Sequence, residues 1–149
     1  MEGLREGGFL ISKIHQLSQR IFTKLLRDFD VKEISAAQGR VIFPLWQKDD
    51  LSFRELKKKT SLSKATLSHM IDTLEKGGHI KRVPSKRDKR TINIKLTKKN
   101  KALQDKFLQV SNEMRDLYYK DFSKKDIDEF EDYLRKLLNN LIEFSEKNK

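Results

Sequence analysis

At 149 residues the chain is long enough for one domain with a real core and too short for two ordinary ones. A hydrophobic fraction of 36% beside a charged fraction of 37% suits a helical protein with little interior per residue, including one that completes its core by dimerising. With no cysteines, disulfides, thiolate zinc sites and cysteine redox sensing are excluded. The net charge of +11 is unevenly spread: residues 1–50 carry 8 basic and 7 acidic side chains, residues 51–101 carry 16 and 4, and residues 102–149 carry 9 and 11. The excess therefore sits in the middle third. A solvated lysine face does not explain flanks this close to neutral, whereas a polyanion-binding surface does. Charge alone names nucleic acid as the partner class and no more.

Met1 to Gln16 contains acids and only the short apolar run Phe9–Ile11, so no signal peptide is expected there. Nothing elsewhere approaches transmembrane length, and no membrane partner is expected. A cytoplasmic location follows as the expectation.

From Phe9 to Phe29, Ile11, Ile14, Leu17, Ile21 and Leu25 recur three and four apart, the spacing of an amphipathic helix. Asp30–Ile34 reads as a connection, and Ser35 as the N-cap of a helix carrying Val41, Ile42, Leu45 and Trp46. Pro44 lies inside that pattern and predicts a kink or an early end. Ser52-Phe53-Arg54-Glu55 fits a capping box opening a short helix to about Thr60. Ser61-Leu62-Ser63 is a tight connection, and Ser63 caps the next helix. That helix offers Ala65, Leu67, Met70, Ile71 and Leu74 to a core and ends at Gly77-Gly78. Two helices so closely joined make a helix–turn–helix.

Beyond the glycines, Ile80–Val83 is a short apolar-edged run, and Thr91–Leu96 alternates polar and apolar with the period of a half-buried strand. The polar segment Pro84–Arg90 joins them into a hairpin with a basic tip. A hairpin placed directly after a helix–turn–helix is a wing, here spanning Lys81 to Leu96. Thr97 and Ser123 can cap two long final helices. Their stripes are Leu103, Phe107, Val110, Met114 and Leu117, then Ile127, Phe130, Leu134, Leu137, Leu141 and Phe144. Both seams have coiled-coil spacing. They can pack within one subunit or be shared between two.

The fold class expected is mainly α (α+β): a winged helix–turn–helix over about residues 35–100 in a single domain. Long helices at about 8–30 and 101–147 would form a dimerisation region. The aromatic residues Phe9, Phe22, Phe43, Trp46, Phe107 and Tyr118 are expected to be mostly core. His15 and His79 are read as structural or surface residues. Three scattered histidines without cysteine suggest no metal site, and no cofactor is implied.

Leu51 to Leu103 resembles the winged-helix core of the MarR family of bacterial transcription regulators. The matching residues are Leu56, Ser63-Lys64-Ala65-Thr66-Leu67-Ser68, Ile71 through Gly78, Ile80, Arg82, Arg87-Asp88-Lys89-Arg90, and Ile94-Lys95-Leu96-Thr97. The helix end, the Asp-x-Arg wing and the closing Leu-Thr, in this order and spacing, make a fairly specific signal. Asn100 stands where the family often has Gly, and Asn tolerates similar backbone conformations. Pro44 falls in a helix usually continuous in the family.

The resemblance implies a homodimer on a pseudo-palindromic duplex, acting as a transcriptional regulator and in the expected case a repressor. Small aromatic effectors commonly bind such proteins, and this sequence permits such a site without displaying it. Two recognition helices about a two-fold axis would reach major grooves about one turn apart. Ser61, Ser63, Lys64, Thr66, Ser68 and His69 lie around the start of the recognition helix, with Lys64, Thr66, Ser68 and His69 expected to face the groove. Ser63 is better read as a cap that positions a backbone amide on a phosphate. In and beside the wing, Arg82, Lys86, Arg87, Asp88, Lys89 and Arg90 complete the set, with Lys86, Arg87 and Lys89 entering the minor groove or tracking phosphates. By resemblance Asp88 pairs with a wing arginine such as Arg90 and fixes the hairpin; otherwise it is a simple turn residue. An architectural DNA binder without sequence preference is the alternative. An enzyme is not expected, because no nucleophile–base pairing, phosphate-cradling glycine loop or metal-type carboxylate cluster is visible.

Overall fold

The computed structural model describes residues 2–148, and no helix in them is long and apolar enough to cross a membrane. The element order is α1 (Gly7–Asp28), α2 (Ala36–Gln47), β1 (Leu51–Ser52), α3 (Phe53–Thr60), α4 (Lys64–Lys76), β2 (Ile80–Pro84), β3 (Ile92–Leu96), α5 (Lys98–Tyr118) and α6 (Lys124–Lys147). This mostly helical arrangement around a small antiparallel sheet is the winged-helix class expected. The chain forms two compact units, one ending at Ser111 and the other beginning at Asn112.

Local chemistry sets most boundaries. Ser35 accepts a hydrogen bond from the Gln38 N–H while the Gln38 side chain accepts from the Ser35 N–H, a complete capping box. Helix α2 runs three residues beyond Pro44, so the early end expected there does not occur. The ring costs one hydrogen bond, but Val41, Ile42 and Leu45 are fully buried, and their packing holds the helix together. Helix α4 ends in a Schellman turn. His79 N–H bonds to the Leu74 carbonyl and Gly78 N–H to that of Glu75, and Gly78 adopts φ +80°, which only glycine takes without strain.

Strands β2 and β3 pair antiparallel from Ile80↔Leu96 to Pro84↔Ile92. The two-residue β1, unforeseen in the sequence, pairs with the other edge of β3, giving the order β1-β3-β2. Asp49 and Asp50 pin this edge: Asp49 accepts from the Leu96 N–H and Asp50 from the Asn93 amide, each at 2.9 Å. The box expected at Ser52 is half-formed. Ser52 accepts from the Glu55 N–H, but the Glu55 carboxylate accepts from the Ser52 hydroxyl, not from its backbone.

The core of the first unit has two parts. One is built from Val41, Ile42, Leu45, Leu51, Leu56, Leu67, Ile71, Leu74, Ile80, Ile94 and Leu96. The other gathers Leu26, Val31, Ile34, Phe107 and Val110, with Phe22 and Trp46 against the Phe107 ring at centroid distances of 5.4 and 4.5 Å. Phe22, Trp46 and Phe107 are thus core as expected. Phe9, Phe43 and Tyr118 are not, being 70%, 48% and 47% exposed; around Phe9 every residue of α1 from Gly7 to Leu17 is exposed, so no core surrounds that ring. In the second unit, Tyr119 donates to Glu131 at 2.7 Å and packs edge-on to Phe122 and Phe130.

Candidate nucleic-acid interface

Helices α3 and α4 are joined by Ser61-Leu62-Ser63. Ser61 takes the left-handed conformation (φ 57°), and its N–H closes α3 on the Lys57 carbonyl. Ser63 accepts from the Thr66 N–H and donates its hydroxyl to Thr66 Oγ1 at 2.9 Å, so the cap also fixes the Thr66 side chain. Leu67, Ile71 and Leu74 anchor α4 in the core, with Met70 partly buried beside them. That anchoring turns Lys64, Thr66 and His69 outward, while Ser68 is half-buried. Ala65, expected in the core, is exposed on the same outward face. Two residues separate by 200° around a helix, so the burial of Leu67 puts Ala65 on the far side.

The wing tip is organised around two short side chains. Ser85, nearly buried, accepts from the Arg87 N–H at 3.2 Å, and Asp88 accepts from both the N–H and the Nε of Arg90 at 3.0 and 3.2 Å. Asp88 therefore stiffens the turn and takes up one arginine. Lys86, Arg87 and Lys89 are exposed and form no ion pair among the described residues.

Arg82 stands apart from the other candidates. Its guanidinium, projecting from β2, is held by Asp72 at 2.7 Å and by Glu75, both on α4, and these carboxylates keep its pKa above the ordinary arginine value. It joins the recognition helix to the wing instead of presenting a free cation. Sequence periodicity could not find this pairing, because it crosses from a helix to a strand.

The acids of the 51–101 module are all held internally: Glu55 by Ser52, Asp72 and Glu75 by Arg82, and Asp88 by Arg90. The exposed lysines and arginines of α3, α4 and the wing tip outnumber these four acids. Besides the residues singled out in sequence, Arg54, Lys57, Lys58 and Lys59 are exposed on α3, the helix that crosses the phosphate backbone in helix–turn–helix docking. Their signal was the lysine run itself, which on its own reads as a solvated face.

Beneath this surface lies a buried polar chain. Trp46 Nε1–H donates to Asn100 Oδ1 at 2.8 Å, and Asn100 Nδ2 lies 3.3 Å from His79 Nδ1, with Asn100 and His79 0% and 1% exposed. Asn100 sits in the first turn of α5 and is not among the residues with positive φ. Tolerance of an unusual backbone therefore does not explain it; the two hydrogen bonds of its side chain do.

Residues 34–92 match the family model described as the MarR family. The HTH-type transcriptional regulator YcgE of Bacillus subtilis is 30% identical over 115 residues, covering 71% of this chain and 75% of that protein. The chain belongs to the MarR family. Members of the MarR family are transcription regulators, not enzymes. The regulator TtmR of Methylorubrum extorquens is 32% identical over 74 residues, half of this chain but only 38% of that protein's length. Among solved structures, a mutant MarR from E. coli complexed with operator DNA superposes with a TM-score of 0.76 at 29% identity, covering 88% of this chain and 92% of that one.

Proposed function

We propose that this MarR-family chain is a sequence-specific regulator that acts as a homodimer on a pseudo-palindromic operator, in the expected case as a repressor. The observation that carries the reading is that three of the four acids in the 51–101 module are paired with arginines of the module itself and the fourth, Glu55, is held by the Ser52 hydroxyl, while the exposed cations of α3, α4 and the wing tip Lys86, Arg87 and Lys89 form no ion pair among the described residues and are free for phosphate. Lys64, Ala65, Thr66, Ser68 and His69 face the major groove in this reading, and Ser61 and Ser63 flank them at the turn. Lys86, Arg87 and Lys89 engage the minor groove or its phosphates, with Asp88 and Arg90 shaping the tip. Arg82 acts indirectly, by fixing the wing against the recognition helix.

Two apolar faces support the dimer. Leu10, Ile11, Ile14 and Leu17 on α1 are 43–50% exposed, and on α6 Leu137, Leu138, Leu141 and Phe144 are 39–69% exposed. Stripes of this kind are what a second copy would cover. Selecting bound duplexes from a random pool tests the reading: an enriched inverted repeat is expected, and a pool that stays random would refute it. Release of the DNA by a small aromatic effector belongs to the same reading. It is tested by titrating aromatic acids and amines against the complex.

A further inference from the structure

We propose that Asn100 is a positioning residue for the DNA-reading lobe, and that the chain Trp46–Asn100–His79 is a lock released by protonation of His79. The inference rests on the DNA-binding reading above and adds a condition under which that binding weakens.

The lock joins three elements of the first unit. Trp46 belongs to α2, His79 closes the turn at the end of the recognition helix α4, and Asn100 lies in the first turn of α5. The junction is reinforced around it. Thr97 Oγ1 donates to the Gly78 carbonyl, Lys99 Nζ to that of Gly77 at 2.8 Å, and the Thr97 N–H to that of His79 at 3.1 Å. The end of the recognition helix is thus fastened to the start of α5.

Only one protonation state satisfies the chain. An indole N–H can only donate, so the Asn100 atom facing Trp46 is its oxygen, and the amide NH₂ faces His79. His79 Nδ1 must then accept, which leaves the proton of the neutral ring on Nε2. A proton added at Nδ1 meets the NH₂ of Asn100, donor against donor. The amide can recover a bond to the imidazolium by turning over, but it then presents NH₂ to the indole and loses Trp46. Either way one buried polar group is left without a partner.

The charged groups facing the ring pull in opposite directions. Burial disfavours the imidazolium most, Lys99 on α5 disfavours it further, and Glu33 before α2 favours it. The lock is therefore closed at neutral pH and opens on acidification below 6.5.

Trp46 is the single tryptophan, so one indole N–H resonance reports the lock in the intact chain without DNA. From about pH 7.5 to about pH 5 that resonance should move in wild type, with a midpoint below 6.5, and affinity for the selected duplex should fall about five- to tenfold. His79→Gln, which can accept from Asn100 but cannot titrate, should abolish the indole shift and this share of the affinity loss. Asn100→Asp accepts from both neighbours, so it should raise the titration midpoint while keeping the indole bonded. An indole resonance that stays still, or moves equally in His79→Gln, would overturn the lock. An indole that titrates while duplex affinity stays constant would overturn its coupling to DNA. A chain that selects no duplex while its indole still titrates would instead remove the DNA-binding reading.

Discussion

Replacing Gly39 by alanine should destabilise the protein, although helix propensity alone argues the reverse. Gly39 is buried in α2, and a Cβ there would lie 2.5 Å from Phe107 Cζ and 3.0 Å from Cε2. Carbon contacts settle near 3.5–4.0 Å, so the ring would have to retreat by about 1 Å. It has little room to do so: Phe107 is 3% exposed and packs edge-on to both Phe22 and Trp46. Overpacking of this kind costs about 1–3 kcal/mol. Removing glycine from a helix interior returns about 1 kcal/mol. The net expectation is a loss of about 1 kcal/mol, or roughly 2–4 °C in Tm for a chain of this size. Urea unfolding followed by Trp46 fluorescence measures it, since that indole touches the displaced ring. Combining Gly39→Ala with Phe107→Leu should cost less than the sum of the two, because the smaller side chain vacates the contested space. A Gly39→Ala protein more stable by about 1 kcal/mol, or strictly additive losses, would refute the packing argument.

Three further outcomes are expected. The double variant Lys86→Ala, Arg87→Ala should weaken binding to all duplexes and reduce the log–log salt slope by about 0.9 for each phosphate no longer neutralised, so an unchanged slope would remove both residues from the interface. Arg82→Ala should weaken DNA binding by baring Asp72 and Glu75 on the recognition helix, while lowering stability by only about 0.5–1 kcal/mol because the pair is partly exposed. Adding Asp72→Asn should restore part of that affinity, and no recovery would contradict the shielding role. Folding stability should also depend on His79. Its folded pKa is depressed below 6.5, so its contribution is complete above that value and is lost as pH falls through the folded value; denaturation midpoints between about pH 7.5 and about pH 5 should decline more steeply in wild type than in His79→Gln.

The sequence revealed what local chemistry decides. Ser35, Ser63 and Ser123 cap their helices where their side chains can reach the N3 amide, and Gly77-Gly78 ends α4 because the turn needs a left-handed residue. The alternation of Thr91–Leu96 marked β3 to within one residue. Features set by distant contacts were out of reach. Strand β1 is two residues long and exists only through pairing with β3. Arg82 looked like a free wing cation because its partners lie ten and seven residues back, on a different element. Asn100 carried no outward mark of its role, since nothing local says that a tryptophan and a histidine converge on it. Ala65 was legible and misread: its angle from Leu67 placed it outside, but its apolar character suggested core.

The most direct test of the central claim compares affinity for the selected inverted repeat with that for a scrambled duplex of the same composition, at one fixed salt concentration. Two chains per duplex are expected, with a preference of about a thousandfold or more for the repeat. Equal affinity for the two duplexes would contradict sequence-specific reading and leave a binder of backbone and shape.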